Sequence, residues 1–165
     1  MYLLSMKNLE ITFFTFLFLG LSLGSTLHAQ KQQINWISFE QLEDSLNVKP
    51  KKVLISFYAD WCSYCKKMDQ VAYRDGKVIS ILNKDYYAVK MNAESRDTIV
   101  FEGEKFFNEE IGKQRNPIHQ IPLLLASRKS YPFSLPVTLI LDEKFQVIKR
   151  DFRYISARKM MRILK

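Results

Sequence analysis

The sequence predicts an α/β domain built on a mixed central sheet flanked by helices, and three observations carry that expectation. Apolar runs of strand length alternate with stretches of helical periodicity over most of the chain. One run, Val53-Leu54-Ile55-Ser56-Phe57-Tyr58, is apolar enough to be a central strand covered on both faces. Near the C-terminus, Val137-Thr138-Leu139-Ile140-Leu141 and Phe145-Gln146-Val147-Ile148-Lys149 are separated only by Asp142-Glu143-Lys144. That spacing predicts an antiparallel hairpin, which makes the sheet mixed.

Taken in order, Ile34-Asn35-Trp36 is a short first strand. Ser38-Phe39-Glu40-Gln41 has the spacing of a capping box and opens an amphipathic helix through Leu42 and Leu46, ending near Asn47. Lys49-Pro50-Lys51-Lys52 is a solvated turn before the central strand. A helix begins at or near Cys62 and runs through Met68 and Val71; Asp75-Gly76 punctuates it, and a second helical piece covers Val78 to Asn83. Tyr86 to Asn92 is the next strand. Thr98 to Phe107 forms either a small hairpin around Gly103 or a helix containing Phe106, Phe107 and Ile111. Ile118 to Arg128 is helical, with Pro122 in the first turn or kinking it. Ser156 caps a last helix whose Ile155, Met160, Ile163 and Leu164 face the core.

The N-terminus has a different character. Lys7 precedes the apolar run Ile11 to Leu23, which loosens into Gly24-Ser25-Thr26-Leu27-His28-Ala29. The run is short of the ~20 residues of a membrane span and suits a secretory signal peptide cleaved after Ala29. Residues 1–29 are thus expected to be an address and residues 30–165 one domain; an uncleaved segment would instead be a membrane anchor. The protein is expected to be exported, to the periplasm. The formal net charge is +8, yet no basic helix or recognition motif accompanies it, so nucleic acid is not an expected partner.

The chain holds two cysteines, in Tyr58-Ala59-Asp60-Trp61-Cys62-Ser63-Tyr64-Cys65-Lys66-Lys67. They fall where a strand gives way to a helix. The first N–H groups of a helix have no internal partner and carry the positive end of its dipole, so a thiolate there is stabilised. Cys65 lies one turn on, within reach of a disulfide. As a structural staple, a loop this short removes only about 2 kcal/mol of unfolded-state entropy. A zinc site takes four ligands, and beyond the leader there are two cysteines and one histidine, His119. No metal and no cofactor are expected. A reversible redox pair needs only the two thiols and the helix start. His119, in Pro117-Ile118-His119-Gln120, has no aspartate or asparagine beside it in a hydrolase pattern and is expected to be a surface or packing residue.

The run FYADWCSYCKKM, the strand AVKMNAE and the distal LPVTLILDE with its hairpin and terminal helix resemble the thioredoxin superfamily. The spelling is most similar to exported bacterial thioredoxin-like domains, such as the C-terminal domains of DsbD-type electron carriers. The resemblance implies a thioredoxin-like fold with an insert, about residues 95–131, before the cis-proline strand. It makes Cys62 the nucleophile and Cys65 the resolving cysteine. Trp61, Ser63 and Tyr64 then border the site. Pro136 is the cis-proline, and the Leu135 backbone before it meets substrate; Pro132 is the rival for that role.

Two departures from the family pattern bear on chemistry. Ser56 stands where thioredoxins carry a buried aspartate, while the accompanying lysine is kept as Lys90. A buried Lys90 without that carboxylate would be unpaired, which is costly. It could then lower the Cys62 pKa, or it could snorkel to solvent. Ser63-Tyr64 replaces Gly-Pro and tunes the thiolate.

The resulting expectation is an exported thiol:disulfide oxidoreductase acting on protein or small-thiol disulfides, with a membrane electron donor as a further partner. The alternatives are an oxidase or isomerase on the same fold, and a non-catalytic binding module that keeps the groove.

Overall fold

The computed structural model describes residues 32–165; the signal-peptide expectation for residues 1–29 lies outside them. The sheet is built around β2 (Lys52–Tyr58), buried from Val53 to Phe57. β3 (Tyr86–Asn92) lies parallel to one side, and β1 (Trp36–Ile37) extends the parallel part. β6 (Val137–Leu141) runs antiparallel on the other side of β2, and β7 (Val147–Asp151) pairs antiparallel with β6. A two-stranded ribbon, β4 (Ile99–Phe101) with β5 (Glu104–Phe106), stands apart from this five-stranded sheet. The mixed sheet is the one the sequence predicts.

Five helices surround it among the described residues: α1 (Phe39–Val48), α2 (Ser63–Gln70), α3 (Gly76–Asp85), α4 (Gln120–Ala126) and α5 (Ala157–Ile163). Strand side chains alternate between the two faces. On one face, Val53, Ile55, Phe57 and Leu139 pack with Phe39 and Leu42 of α1 and Ile121 of α4. On the other, Leu54, Ala88 and Ile140 pack with Met68 of α2, Leu82 of α3 and Met160 of α5. Helix starts are fixed by side-chain caps. Ser38 and Gln41 make the expected capping box, Asp75 accepts from the Lys77 and Val78 amides, and Ser156 accepts from Lys159 N.

Three boundaries differ from expectation, each because of specific hydrogen bonds. Residues 34–35 are not strand: Asn83 takes the Asn35 N–H and donates to the Gln33 carbonyl, removing groups that β3 would have paired. The last hairpin turns later than expected, because Asp142 Oδ1 accepts from both Lys144 N and Gln146 N while Phe145 adopts φ 59°. The helix expected from Ile118 begins only at Gln120, because the His119 ring caps it. Pro122 sits in its first turn, where a missing N–H costs nothing. Between Thr98 and Phe107 the hairpin is the form adopted. Glu102 and Gly103, at φ 52° and 75°, make the left-handed turn that such a ribbon needs.

The register decides what lies at the top of the sheet. Phe57 pairs with Val137, so the residues after Tyr58 and those just before Val137 emerge at the same edge.

Asp151 closes the lower face against α5. It is buried and accepts from Lys159 Nζ at 2.5 Å, Arg153 N at 3.1 Å and Arg153 Nε at 3.4 Å. Burial alone would raise its pKa, but Lys159 and Arg153 together hold it below the ordinary carboxylate value. Its contribution is therefore in full force above about pH 4 and is lost as pH falls through the lowered folded pKa. Asp151→Asn should cost about 1–2 kcal/mol in urea unfolding at pH 7, since Lys159 is partly and Arg153 largely exposed. The gap from wild type should close as the pH is lowered below about 4.

Candidate active site

β2 ends at Tyr58, and a tight turn closed by Cys62 N donating to Ala59 O delivers the chain to the start of α2. Cys62 is the N-cap of α2. Its Sγ accepts from Cys65 N at 3.1 Å, doing with sulfur what a serine or aspartate oxygen does at other helix starts. The two cysteines are joined in a disulfide with 5.2 Å between Cα atoms. Both are nearly covered, at 4% and 5% exposure, and their neighbours form an open rim: Trp61 is 55% exposed, Tyr64 62%, and Ser63 is exposed. Leu135 packs against Ala59, Cys62 and Cys65. The peptide bond from Leu135 to the buried Pro136 is cis, so the special proline is Pro136 and not Pro132. Sequence-predicted rim, sulfurs and proline loop are thus brought together at one sheet edge.

A description of thioredoxin-like proteins matches residues 36–133, more than half of the chain. The chain belongs to the thioredoxin-like family. The match runs through residues 95–131 and stops just short of the cis-proline. Among curated proteins, the thiol:disulfide interchange protein DsbD of Campylobacter jejuni (strain RM1221) is 25% identical over 87 residues, 51% of this chain. The chain spans about 15% of that relative's length. Among solved structures, a DsbH oxidoreductase superposes with TM-score 0.53 at 17% identity, covering 87% of this chain and 90% of its own. A thioredoxin from Thermus thermophilus does so with TM-score 0.55 at 13% identity, covering 80% and 85%. These likenesses show that the fold is thioredoxin-like.

Against that family pattern, the surroundings of the disulfide correct one expectation. Lys90 is not unpaired: its Nζ meets Asp69 Oδ1 at 2.6 Å and lies 4.7 Å from the centre of the Tyr58 ring. Asp69 follows Cys65 by four residues on α2, so the carboxylate absent from β2 has a counterpart on the helix. Lys90 is 23% exposed and Asp69 36%, a partly solvated pair. Burial, with Asp60 and Asp69 nearby, raises the Tyr58 pKa. Ser56 faces the same side of the sheet as the Thr138 and Tyr73 hydroxyls, and the Tyr73 and Thr138 oxygens are buried with no hydrogen bond of ordinary geometry. Burial pushes the Tyr73 phenol up to about 12, with Ser56 and Thr138 moderating the shift. A phenol of that kind does not ionise at neutral pH and is no base.

One group near the sulfurs that sequence patterns did not single out is Glu94. Trp61 Nε1 donates to Glu94 Oε1 at 2.8 Å, which fixes the indole beside the sulfurs. His119 is the packing residue expected: fully buried, its Nδ1 accepts from Ile121 N while Nε2 donates to Asp97 O. Burial lowers its pKa against the pull of the Asp97 and Phe106 backbone. Among the described residues no group of three or more His, Cys, Asp or Glu could hold a metal ion. No helix among them is long and apolar enough to cross a membrane. The missed residues Asp69 and Glu94 had one legible trace: each answers a side-chain donor, Lys90 or Trp61, for which sequence patterns name no partner.

Asp69→Asn should leave Lys90 without its charge partner and lower stability by about 0.5–1 kcal/mol, a figure already discounted for solvent exposure. Urea unfolding at pH 7 measures it, and the gap from wild type should narrow in about 0.5 M salt, where the pair is screened.

Proposed function

We propose that this protein is an exported thiol:disulfide oxidoreductase that reduces disulfides in proteins or small thiols, or relays electrons to another thiol protein. The observation that carries the reading is the Cys62–Cys65 disulfide at the N-terminus of α2, held against Leu135 and the cis-proline. Export rests on the pattern of residues 1–29.

In the reduced protein, the Cys62 thiolate keeps the Cys65 N–H and the helix dipole as its stabilisers. It attacks one sulfur of the substrate disulfide. A Cys62–substrate bond forms, the substrate's S–S bond breaks, and the departing thiolate takes a proton from water. Cys65, having given its proton to solvent, then attacks Cys62 Sγ and expels the second substrate thiol. Two electrons pass: the substrate ends as a dithiol and the protein as the disulfide of this structure. A donor dithiol protein, membrane-borne in the exported setting, restores it by the reverse exchange. Trp61, Ser63, Tyr64 and the Leu135 backbone meet the substrate. Lys90 acts on Cys62 only as half of its pair with Asp69, so the field it exerts is weaker than that of a lone cation.

Acidity contributes modestly. Lowering a thiol from pKa ~8.5 to ~7 raises its thiolate fraction at pH 7 from about 3% to about 50%. Lost nucleophilicity returns roughly a factor of six, so the net gain is about threefold. Most of the advantage comes from Cys65 being held one turn away at high effective concentration.

With dithiothreitol as donor, wild-type protein should reduce insulin with turnover, and Cys62→Ser should fall to background. Cys65→Ala should stop halfway, accumulating disulfide-linked partners on non-reducing gels. Wild-type turnover no faster than dithiothreitol alone would sink the reading in favour of a binding module.

A further inference from the structure

Beside the disulfide lies a groove of about 490 Å³, lined on one side by Trp61 and on another by residues from Ser127 to Leu135. Ile118, Leu123, Phe133 and Leu135 give it an apolar lining. Leu135 belongs both to this lining and to the packing around Cys62 and Cys65, so the groove starts where the sulfur exchange occurs. Trp61 and Tyr131, 55% and 67% exposed, stand uncovered along it. Most of its lining comes from the segment between β5 and β6, whereas the sulfurs and cis-proline are common to the family.

Two charged residues contribute to the lining. Glu110 commits Oε2 to the Ile118 amide at 2.8 Å. Arg128 is held flat: its guanidinium lies 4.0 Å from the Phe152 ring centre and 5.2 Å from that of Tyr131, and Nη2 donates to Ser134 Oγ at 2.8 Å. Among the described residues Arg128 makes no ion pair. A stacked, planar fork with free N–H groups suits a carboxylate. The net charge of +8 favours an acidic partner at longer range.

We propose that this groove receives the polypeptide flanking the cysteine of a disulfide-bonded partner. A large apolar side chain beside that cysteine covers Leu123 and Phe133, and a carboxylate a few residues away pairs with Arg128. The substrate class is therefore protein disulfides in acidic, apolar-flanked segments. This rests on the oxidoreductase reading above, and the chemistry is the same exchange: the protein dithiol becomes a disulfide and the partner disulfide becomes two thiols.

The test uses full-length reduced protein and disulfide-linked peptide dimers. One peptide carries Phe beside the cysteine and Glu three residues away on each side; a second replaces Glu by Lys; a third replaces Phe by Gly. Hydroxyethyl disulfide serves as a reference lacking any flanking chain. The Phe/Glu peptide should react about tenfold faster than Gly/Glu, the scale expected for burying most of one aromatic side chain. It should react about threefold faster than Phe/Lys at low salt, the scale of one partly exposed ion pair, and the difference should shrink in about 0.5 M salt. Arg128→Gln should lower the Glu-over-Lys ratio and Arg128→Glu should lower it further, leaving only the long-range part set by net charge; a ratio within one protein cancels any change in its basal rate. Equal rates for all three peptides, with hydroxyethyl disulfide still reduced, would overturn the groove assignment alone. A Glu preference unchanged in both Arg128 variants would overturn the role of Arg128 and assign the preference to overall charge. Failure to reduce hydroxyethyl disulfide or any peptide would overturn the oxidoreductase reading, and the groove assignment with it.

Discussion

A sulfur occupies the place of a capping oxygen at the start of α2, and the rest of the site is arranged around that one contact. The Cys65 amide would be an unsatisfied donor in the first turn; Cys62 Sγ accepts from it at 3.1 Å. The same geometry that ends the turn after β2 therefore aims the helix dipole at the sulfur and sets Cys65 one turn behind it. Structure and chemistry share a single hydrogen bond. The sheet supplies what the helix cannot. Because Phe57 is in register with Val137, the cis-proline loop has to arrive beside the cysteines, and a one-residue slip of β6 would carry Leu135 away from them.

Electrostatically, the protein reaches a balanced site by an unusual assignment of residues. Ser56 places a small hydroxyl on β2 where the thioredoxin resemblance implies a carboxylate, and the buried space around it is shared by the Tyr73 and Thr138 hydroxyls. Lys90 finds its counter-charge on α2 instead, at Asp69, and lies over the Tyr58 ring. Charge is thereby moved from beneath the sheet toward its partly solvated rim. A neutral pair at that position perturbs the sulfurs less than a lone lysine or a lone buried carboxylate would. The helix start is left as the main influence on Cys62.

Much of this was legible in the sequence because it rests on local rules. The capping box at Ser38, the caps at Asp75 and Ser156, the doubly buried run from Val53 and the strand-to-helix position of Cys62 are all set by neighbours in the chain. Several of the corrections come from contacts distant in sequence. Asn83 reaches back to residues 33 and 35, Asp69 reaches across to Lys90, and the groove forms only when Trp61 meets the segment from Ser127 to Leu135. Periodicity carries no information about such pairs. The sequence leaves the ribbon at Glu102-Gly103 between two forms and predicts the turn at Phe145 too early, because each depends on a left-handed backbone position at a non-glycine residue.

The central claim is that the start of α2 makes Cys62 the attacking sulfur and keeps Cys65 in reserve. Alkylation of the reduced protein by iodoacetamide across pH, with each cysteine followed separately by peptide mass, tests it most directly. Cys62 should react first, along a titration curve centred below the ordinary thiol value of about 8.5, while Cys65 stays protected until the protein is unfolded. Equal reactivity of the two cysteines, both titrating at the ordinary value, would contradict it.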